Sequence, residues 1–199
     1  MSGGRRPRGG ATDPGSKKGE VEGTVVTAAR AGDERAFTRI IEHYDPRLRM
    51  LAFQVLRDRD AMDDALQDAY VSAYKALPDF RGEAAMGTWL YRLTYNACLA
   101  HLRRRTPLPL PDEQLEQVCP APDPAGVAEA RGDLTAALAA LSPDQRAAVV
   151  LVMWDGLDYR SAAEVLGIPV GTLSSRLTAA RTRLRALLDG GPEEAASHA

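Results

Sequence analysis

Cysteine is nearly absent. Cys98 and Cys119 are the only two in 199 residues, too few to staple a fold and not spaced as a metal-binding pair. Both are expected to be free thiols in a reducing compartment, with a redox bridge between them as the lesser alternative. Histidine is as sparse: His43, His101 and His198 are too scattered to suggest a catalytic or metal cluster. No apolar run approaches the length of a membrane span, and the Gly- and Arg-rich start lacks the apolar centre of a signal peptide. The expectation is a cytoplasmic protein without membrane insertion. The chain has no phosphate-cradling P-loop and no nucleophile, base and orienter set, so no enzyme activity, cofactor or small-molecule substrate is expected. An excess of one charge is also missing. The net charge of -2 would argue against nucleic acid if it were evenly spread. It is not, because acidic residues gather from Asp58 to Asp68 and in the middle of the chain, while arginines gather at Arg103-Arg104-Arg105 and from Arg176 to Arg185.

What is present is helical texture in two blocks. Residues 1–24 are rich in Gly, Pro, Arg, Lys and Ser with almost nothing apolar, which cannot offset the entropy of ordering, so they read as a disordered tail. From residue 25 to 105 the apolar residues recur at helical spacing. Ala28, Ala29, Ala36, Phe37, Ile40, Ile41 and Tyr44 mark one amphipathic helix or two short ones, with Gly32-Asp33 as break and cap. Pro46 is expected to open a second helix, and Asp60 to cap a third from Ala61 to Leu77. Thr88 is expected to cap a fourth, from Trp89 to about Arg105. Residues 106–126 hold Pro107, Pro109, Pro111, Pro120, Pro122 and Pro124 among Asp112, Glu113, Glu116 and Asp123, with no Lys or Arg up to Ala125. That composition reads as an extended acidic linker. Residues 127–188 form a second helical block, with Leu134, Ala137, Leu138 and Leu141 facing inwards. Ser142, Pro143 and Gln145 form a capping signature, and Val149, Val150, Val152, Met153 and Trp154 make a strongly apolar run that Gly156 ends. Residues 189–199, after Gly190-Gly191-Pro192, are a polar tail. The fold class is all-α, two small helical domains joined by a flexible linker.

Three surfaces carry the chemistry. On the third helix Asp64, Gln67, Asp68 and Val71 share a face with Asp63 alongside, opposite a buried stripe of Met62, Leu66, Ala69, Tyr70, Ala73 and Leu77. Such a face is either solvated or a dock for a basic partner helix. A magnesium and diphosphate site would need a second carboxylate cluster, for which Asp155 and Asp158 are a thin candidate. On the fourth helix, Leu90, Leu93 and Ala97 are expected inside, and Trp89, Arg92, Tyr95, Asn96, Leu99 and Arg103 outside. Aromatic rings beside arginines suit unpaired nucleic acid, although Trp89 alone reads more simply as core. Finally, Tyr159 to Leu166, Gly167 and Val170 onwards read as helix, tight turn, helix. Leu173, Leu177, Ala180, Leu184 and Leu187 recur on the inner side of the second helix, leaving Ser174, Ser175, Arg176, Thr178 and Arg181 outside, which suits a DNA major groove. An αα-hairpin of no further purpose is the plainer alternative.

Five motifs in order give these surfaces a family resemblance: Asp64-Ala-Leu-Gln-Asp-Ala-Tyr-Val-Ser-Ala-Tyr-Lys-Ala-Leu77, Phe80-Arg-Gly-Glu, Thr88-Trp-Leu-Tyr-Arg-Leu-Thr-Tyr-Asn96, Leu141-Ser-Pro-Asp-Gln-Arg146, and Leu166-Gly-Ile-Pro-Val-Gly-Thr-Leu-Ser-Ser-Arg-Leu177. Together they resemble the bacterial RNA polymerase sigma factors of the extracytoplasmic-function group, which keep only the second and fourth conserved domains. The resemblance spans about Ala28 to Leu188. It implies that Asp63, Asp64, Gln67, Asp68 and Val71 dock on the β′ coiled coil of core RNA polymerase. Phe80, Arg81, Trp89, Arg92, Tyr95, Asn96 and Arg103 would meet the −10 promoter element as it melts. Arg160, Ser161, Thr172, Ser174, Ser175, Arg176, Thr178 and Arg181 would meet the −35 element. The linker would run towards the RNA exit channel. Further contact with the polymerase β subunit and an anti-sigma partner are implied as well. Many relatives have a basic residue at the position of Ser174, acidic ones where Arg160 and Ser161 stand, and an aromatic at Met86. The resemblance therefore implies the surfaces without the bases they read. The rival from another class is a two-domain helix-turn-helix regulator that acts without docking on polymerase.

Overall fold

The structure is a computed structural model that describes residues 23–105 and 136–189. All regular elements among these residues are helical. Helix α1 (Gly23–Arg30) starts at Gly23, slightly ahead of the expected boundary at 25. Gly32 then takes a left-handed φ of 96°, and Asp33 caps α2 (Glu34–Leu56) by accepting from the amides of Arg35 and Ala36. Gly32-Asp33 is the break and cap that the sequence predicts.

Pro46 does not open a helix, because it lies inside α2. A proline there removes one helical hydrogen bond and crowds the preceding turn. Ile40, Tyr44, Leu48, Leu51 and Val55 nevertheless bury as one stripe on both sides of it, and that packing carries the helix through. The next junction is also corrected. Arg57 turns left-handed, with φ 55°, and ends α2. Asp58, rather than Asp60, caps α3 (Arg59–Ala76), accepting from the Ala61 amide. That amide first, and then Arg105 at 2.9 Å, hold the Asp58 carboxyl below its ordinary pKa.

Leu77–Asp79 is a single 3-10 turn around Pro78, and α4 (Met86–Arg105) begins before Thr88. Thr88 is buried inside the helix rather than at its cap, since Trp89 N–H to Ala85 O already closes the first turn. Gly87 lies against the Tyr44 ring, where a Cβ would come within 3.0 Å of the ring edge. The missing side chain is what lets the start of α4 approach α2 so closely.

In the second unit, helical residues 136–139 lead into a complete capping box. Ser142 accepts from the Gln145 amide, and the Gln145 side chain accepts from the Ser142 amide. Helix α5 (Pro143–Val149) continues as a π-helical turn over Val150–Trp154. Asp158 caps α6 (Tyr159–Leu166), Gly167 ends it at φ 66°, and α7 (Val170–Asp189) follows. Leu173, Leu177 and Ala180 are fully buried as expected, but Leu187 is 47% exposed, because the far end of α7 runs on beyond the core. Residues 1–22, the linker over 106–126 with Cys119, residues 127–135 including Leu134, and Gly190-Gly191-Pro192 lie outside the described residues.

The two units share one apolar core. Helices α2, α3 and α4 pack together, α1 lies on α2, and α2 and α4 pack in turn against α5 and α6. Arg146 makes this junction. Its side chain is 1% exposed, with Nε donating to the Gln54 carbonyl, Nη2 to Val55 O at 3.3 Å, and Nη1 to Leu141 O at 2.6 Å and Ala139 O at 3.2 Å. Carbonyls in the last turn of a helix lack intrahelical partners. A guanidinium from the second unit therefore satisfies the end of α2 and lies at the negative pole of its dipole. No described helix is long and apolar enough to cross a membrane.

Candidate nucleic-acid interface

Helix α3 presents the acidic face as the periodicity predicts. Asp63, Asp64, Gln67, Asp68 and Val71 are all exposed, while Ala61, Ala65, Leu66, Ala69 and Ala73 are buried behind them. Met62 and Tyr70 are half-buried, and the Tyr70 hydroxyl donates to Asp45 at 2.6 Å. The flanks of the face are tied to neighbouring helices. Arg49 of α2 pairs with Asp63 at 2.6 Å, and His101 and Arg104 of α4 reach Asp68 at 3.0 and 3.7 Å. Val71, 48% exposed, is an apolar residue left uncovered on this charged surface. Among the described residues no group of His, Cys, Asp and Glu could hold a metal ion.

Helix α4 differs from expectation. Trp89 and Tyr95 are buried, with Leu90, Tyr91, Thr94 and Cys98. Arg92, Asn96 and Arg103 are exposed, and Leu93, Ala97 and Leu99 sit at the margin. The expected outer face is thus split, and the reason is tertiary: the second unit meets Tyr95 through Asp144, and Phe80 packs on Trp89. Phe80, from the loop before α4, packs on Trp89 with ring centroids 5.0 Å apart. With Arg81, Glu83, Arg92 and Glu164 these rings line a cavity of about 310 Å³. Glu164 comes from α6 and lies 3.6 Å from Arg92, so one wall of the cavity belongs to the other unit.

Tyr95 is only 2% exposed and donates to Asp144 of α5 at 2.6 Å. Burial first, then the Asp144 charge and hydrogen bond, raise the pKa of its hydroxyl and keep it a donor. Asp144 also pairs with Arg176 of α7 at 2.8 Å. Nearby, Tyr91 of α4 faces Asp155, which follows the π-helical turn. Burial raises the Asp155 carboxyl above its ordinary range, with Tyr91 and then Arg47 pulling the other way. The Tyr91 hydroxyl and Asp155 Oδ2 are buried without a well-formed hydrogen bond. Cys98 is a buried free thiol whose pKa is pushed up to about 12 by burial, an environment that suppresses the reactive thiolate.

The helix-turn-helix surface is formed by α6 and α7. Ser174, Ser175, Thr178 and Arg181 are exposed on α7 as expected, Thr172 is half-buried, and Arg176 is drawn down to 21% exposure by Asp144. At the start of α6, Arg160 is exposed and Ser161 is half-buried, its hydroxyl donating to Asp158 at 3.0 Å. Ser175 and Thr178 hydroxyls donate to backbone carbonyls one turn earlier, Gly171 and Ser174. Sequence reasoning gave no role to Asp144, Arg146 or Glu164. The Leu141-to-Arg146 motif held two of them, but nothing in a sequence says that a capping segment will face a second domain.

Comparisons with known proteins agree with this arrangement. Residues 40–107 match the family described as Sigma-70 region 2, and residues 131–184 match Sigma-70, region 4. The extracytoplasmic-function RNA polymerase sigma factor SigM of Mycobacterium tuberculosis is 37% identical over 87% of this chain and 88% of its own. The extracytoplasmic-function RNA polymerase sigma-E factor of Escherichia coli is 29% identical over 79% of this chain and 88% of its own. Among solved structures, the sigma factor RpoE in complex with the anti-sigma factor NepR from Bartonella quintana superposes with a TM-score of 0.62. It is 27% identical, over 79% of this chain and 99% of that one. CnrH in complex with the cytosolic domain of CnrY gives the same TM-score, 0.62, at 26% identity over 85% of this chain and 97% of that one. With both regions matched in order and relatives aligned over most of their length, the chain belongs to the extracytoplasmic-function group of sigma-70 RNA polymerase sigma factors.

Proposed function

We propose that this sigma factor joins core RNA polymerase through the exposed face of α3 and reads a promoter with its two units in turn. The observation that carries the docking role is the face itself. Asp64 and Gln67 stand out from α3 with the apolar Val71 uncovered at 48% exposure between charged neighbours, as an interface needs and a purely solvated face does not. Acidic and amide groups there complement a basic partner helix, and relatives named as RNA polymerase sigma factors support core polymerase as that partner. The same unit would hold the −10 element, with Arg103 near backbone phosphates and an extruded base in the cavity between Phe80, Trp89 and Arg92. Helix α7 would enter the major groove of the −35 element, with Arg160 and Ser161 at the start of α6 beside it and Thr172, Ser174, Ser175, Arg176, Thr178 and Arg181 along it. Arginine forks match guanine edges and phosphates alike. Each unit alone makes few phosphate contacts, and tethering both to polymerase raises the effective concentration of each. The domain limits of 25–105 and 127–188 are part of this reading, as is a cytoplasmic site of action. An anti-sigma partner is proposed too, because the solved relative from Bartonella quintana is held by one.

The double substitution Asp64→Ala with Gln67→Ala tests the docking face, since both residues are exposed and the fold does not need them. Native gels with purified core polymerase should show weakened binding, with an unchanged helical spectrum for the free protein. Undiminished core binding would instead favour a helix-turn-helix regulator that works without docking.

A further inference from the structure

Two carboxylates on the flanks of the α3 face are each tied at one oxygen by a cation from a neighbouring helix. Arg49 of α2 donates from Nη1 to Asp63 Oδ1 at 2.6 Å, while its Nε donates to both oxygens of Asp45, at 3.1 and 3.0 Å. Asp45 in turn accepts from the Tyr70 hydroxyl of α3 at 2.6 Å. Asp45 and Arg49 lie one turn apart on α2, and Asp63 and Tyr70 two turns apart on α3, so each helix offers its two residues along one flank. Burial first, then Asp45, raise the pKa of the Tyr70 hydroxyl and keep it a donor. The hydrogen bond to Asp63 is the largest influence on Arg49 and raises its pKa. On the other flank, His101 and Arg104 of α4 meet Asp68 at Oδ2 alone. Asp63 and Asp68 nevertheless stay 59% and 56% exposed, which leaves each able to accept from a partner.

We propose that Arg49 is a positioning residue for core docking: anchored by Asp45, it fixes the Asp63 carboxylate in the orientation that a basic partner helix meets. This rests on the reading of the α3 face as the dock for core polymerase. An exposed aspartate samples several rotamers, and holding it in one on association costs free energy. Arg49 orders Asp63 in the free chain, before any partner arrives. The guanidinium suits the task because its planar fork addresses two carboxylates from separate nitrogens, Nε to Asp45 and Nη1 to Asp63. A lysine there would keep the charge, but an ammonium on a flexible stem sets no such direction. Charge by itself would make Arg49 a hindrance, because a cation beside Asp63 weakens the pull of that flank on a basic partner. Its contribution to docking is therefore the geometry it imposes on Asp63.

The test is a titration of the full chain, labelled at its amino terminus, with purified core polymerase, followed by fluorescence anisotropy. Arg49→Lys keeps the charge and removes the fork, and it should raise the Kd about threefold, the scale of one exposed ion pair. Asp63→Asn should weaken docking at least as much. Adding Arg49→Lys to Asp63→Asn should then change nothing further, because the two residues act through one carboxylate. A general effect on the fold would weaken binding in the Asp63→Asn background as well, and that additive result overturns the inference. An unchanged or tighter Kd for Arg49→Lys overturns it too. Asp64→Ala with Gln67→Ala, measured alongside, separates the two levels. If that pair weakens core binding and Arg49→Lys does not, the positioning role alone falls. If the pair binds core undiminished, the docking reading has failed and the positioning role falls with it.

Discussion

Asp155 is a carboxyl group in a poor place for a charge. It is half-buried between the units with Oδ2 enclosed, beside Tyr91, and its folded-state pKa lies above the ordinary value. Such a group contributes stability that is full below the ordinary carboxylate range and is lost as pH rises through the raised pKa. Asp155→Asn keeps the shape and removes the charge. It is expected to be more stable than the parent at pH 8, with the difference shrinking as pH falls towards 4, in urea melts followed by circular dichroism. At this scale the sequence is legible for caps and stripes but errs by a residue or two. Asp58 takes the place predicted for Asp60 because Arg57 is the residue that turns left-handed, and that choice depends on how α2 meets α3. Tyr95 is expected outside because helical periodicity shows only one buried face, whereas Trp89 taken alone already reads as core. Helix α4 is buried on a second face by another domain, which no local pattern encodes.

Helices in this protein are set by their ends more than by their propensities. The helix-turn-helix pair α6 and α7 depends on two local devices. Asp158 accepts from the amides of Arg160 and Ser161 at 2.8 and 2.9 Å, and Gly167 takes a left-handed φ of 66°. Replacing Asp158 by Ala should cost about 1 kcal/mol, a typical loss for an N-cap, in the same denaturant melts. Much of this element is readable from the sequence, since an apolar face, a glycine and a proline follow each other from Ala162 to Pro169, whereas the Asp158 cap emerges only in the structure. Helix α2 was not, because the proline rule is local and the unbroken stripe from Ile40 to Val55 overrides it.

For the whole molecule, the junction between the units is the feature that sequence could not supply. A proline-rich acidic linker predicts two independent bodies, yet one apolar core runs through both. Arg146 fixes the junction through carbonyls of the far unit. Arg146→Ala should lower stability by roughly 3 kcal/mol, the scale of leaving several buried acceptors without their charged donor. Arg146→Lys, which keeps the charge but not the fork, should fall between the two. The order of the parts, from acidic face to arginine-rich helix to helix-turn-helix, was legible throughout, and it fixes the family. How those parts are folded against each other in the free chain is a property of tertiary contacts alone.

The role proposed for this chain is to give core polymerase its promoter. Run-off transcription with purified core enzyme and fragments of the source genome tests it directly. Discrete transcripts are expected when the full chain is added, and they should fade when Asp64→Ala and Gln67→Ala are both present. If the chain yields no specific transcript under any condition, or if the double variant transcribes as well as the parent, that role is contradicted.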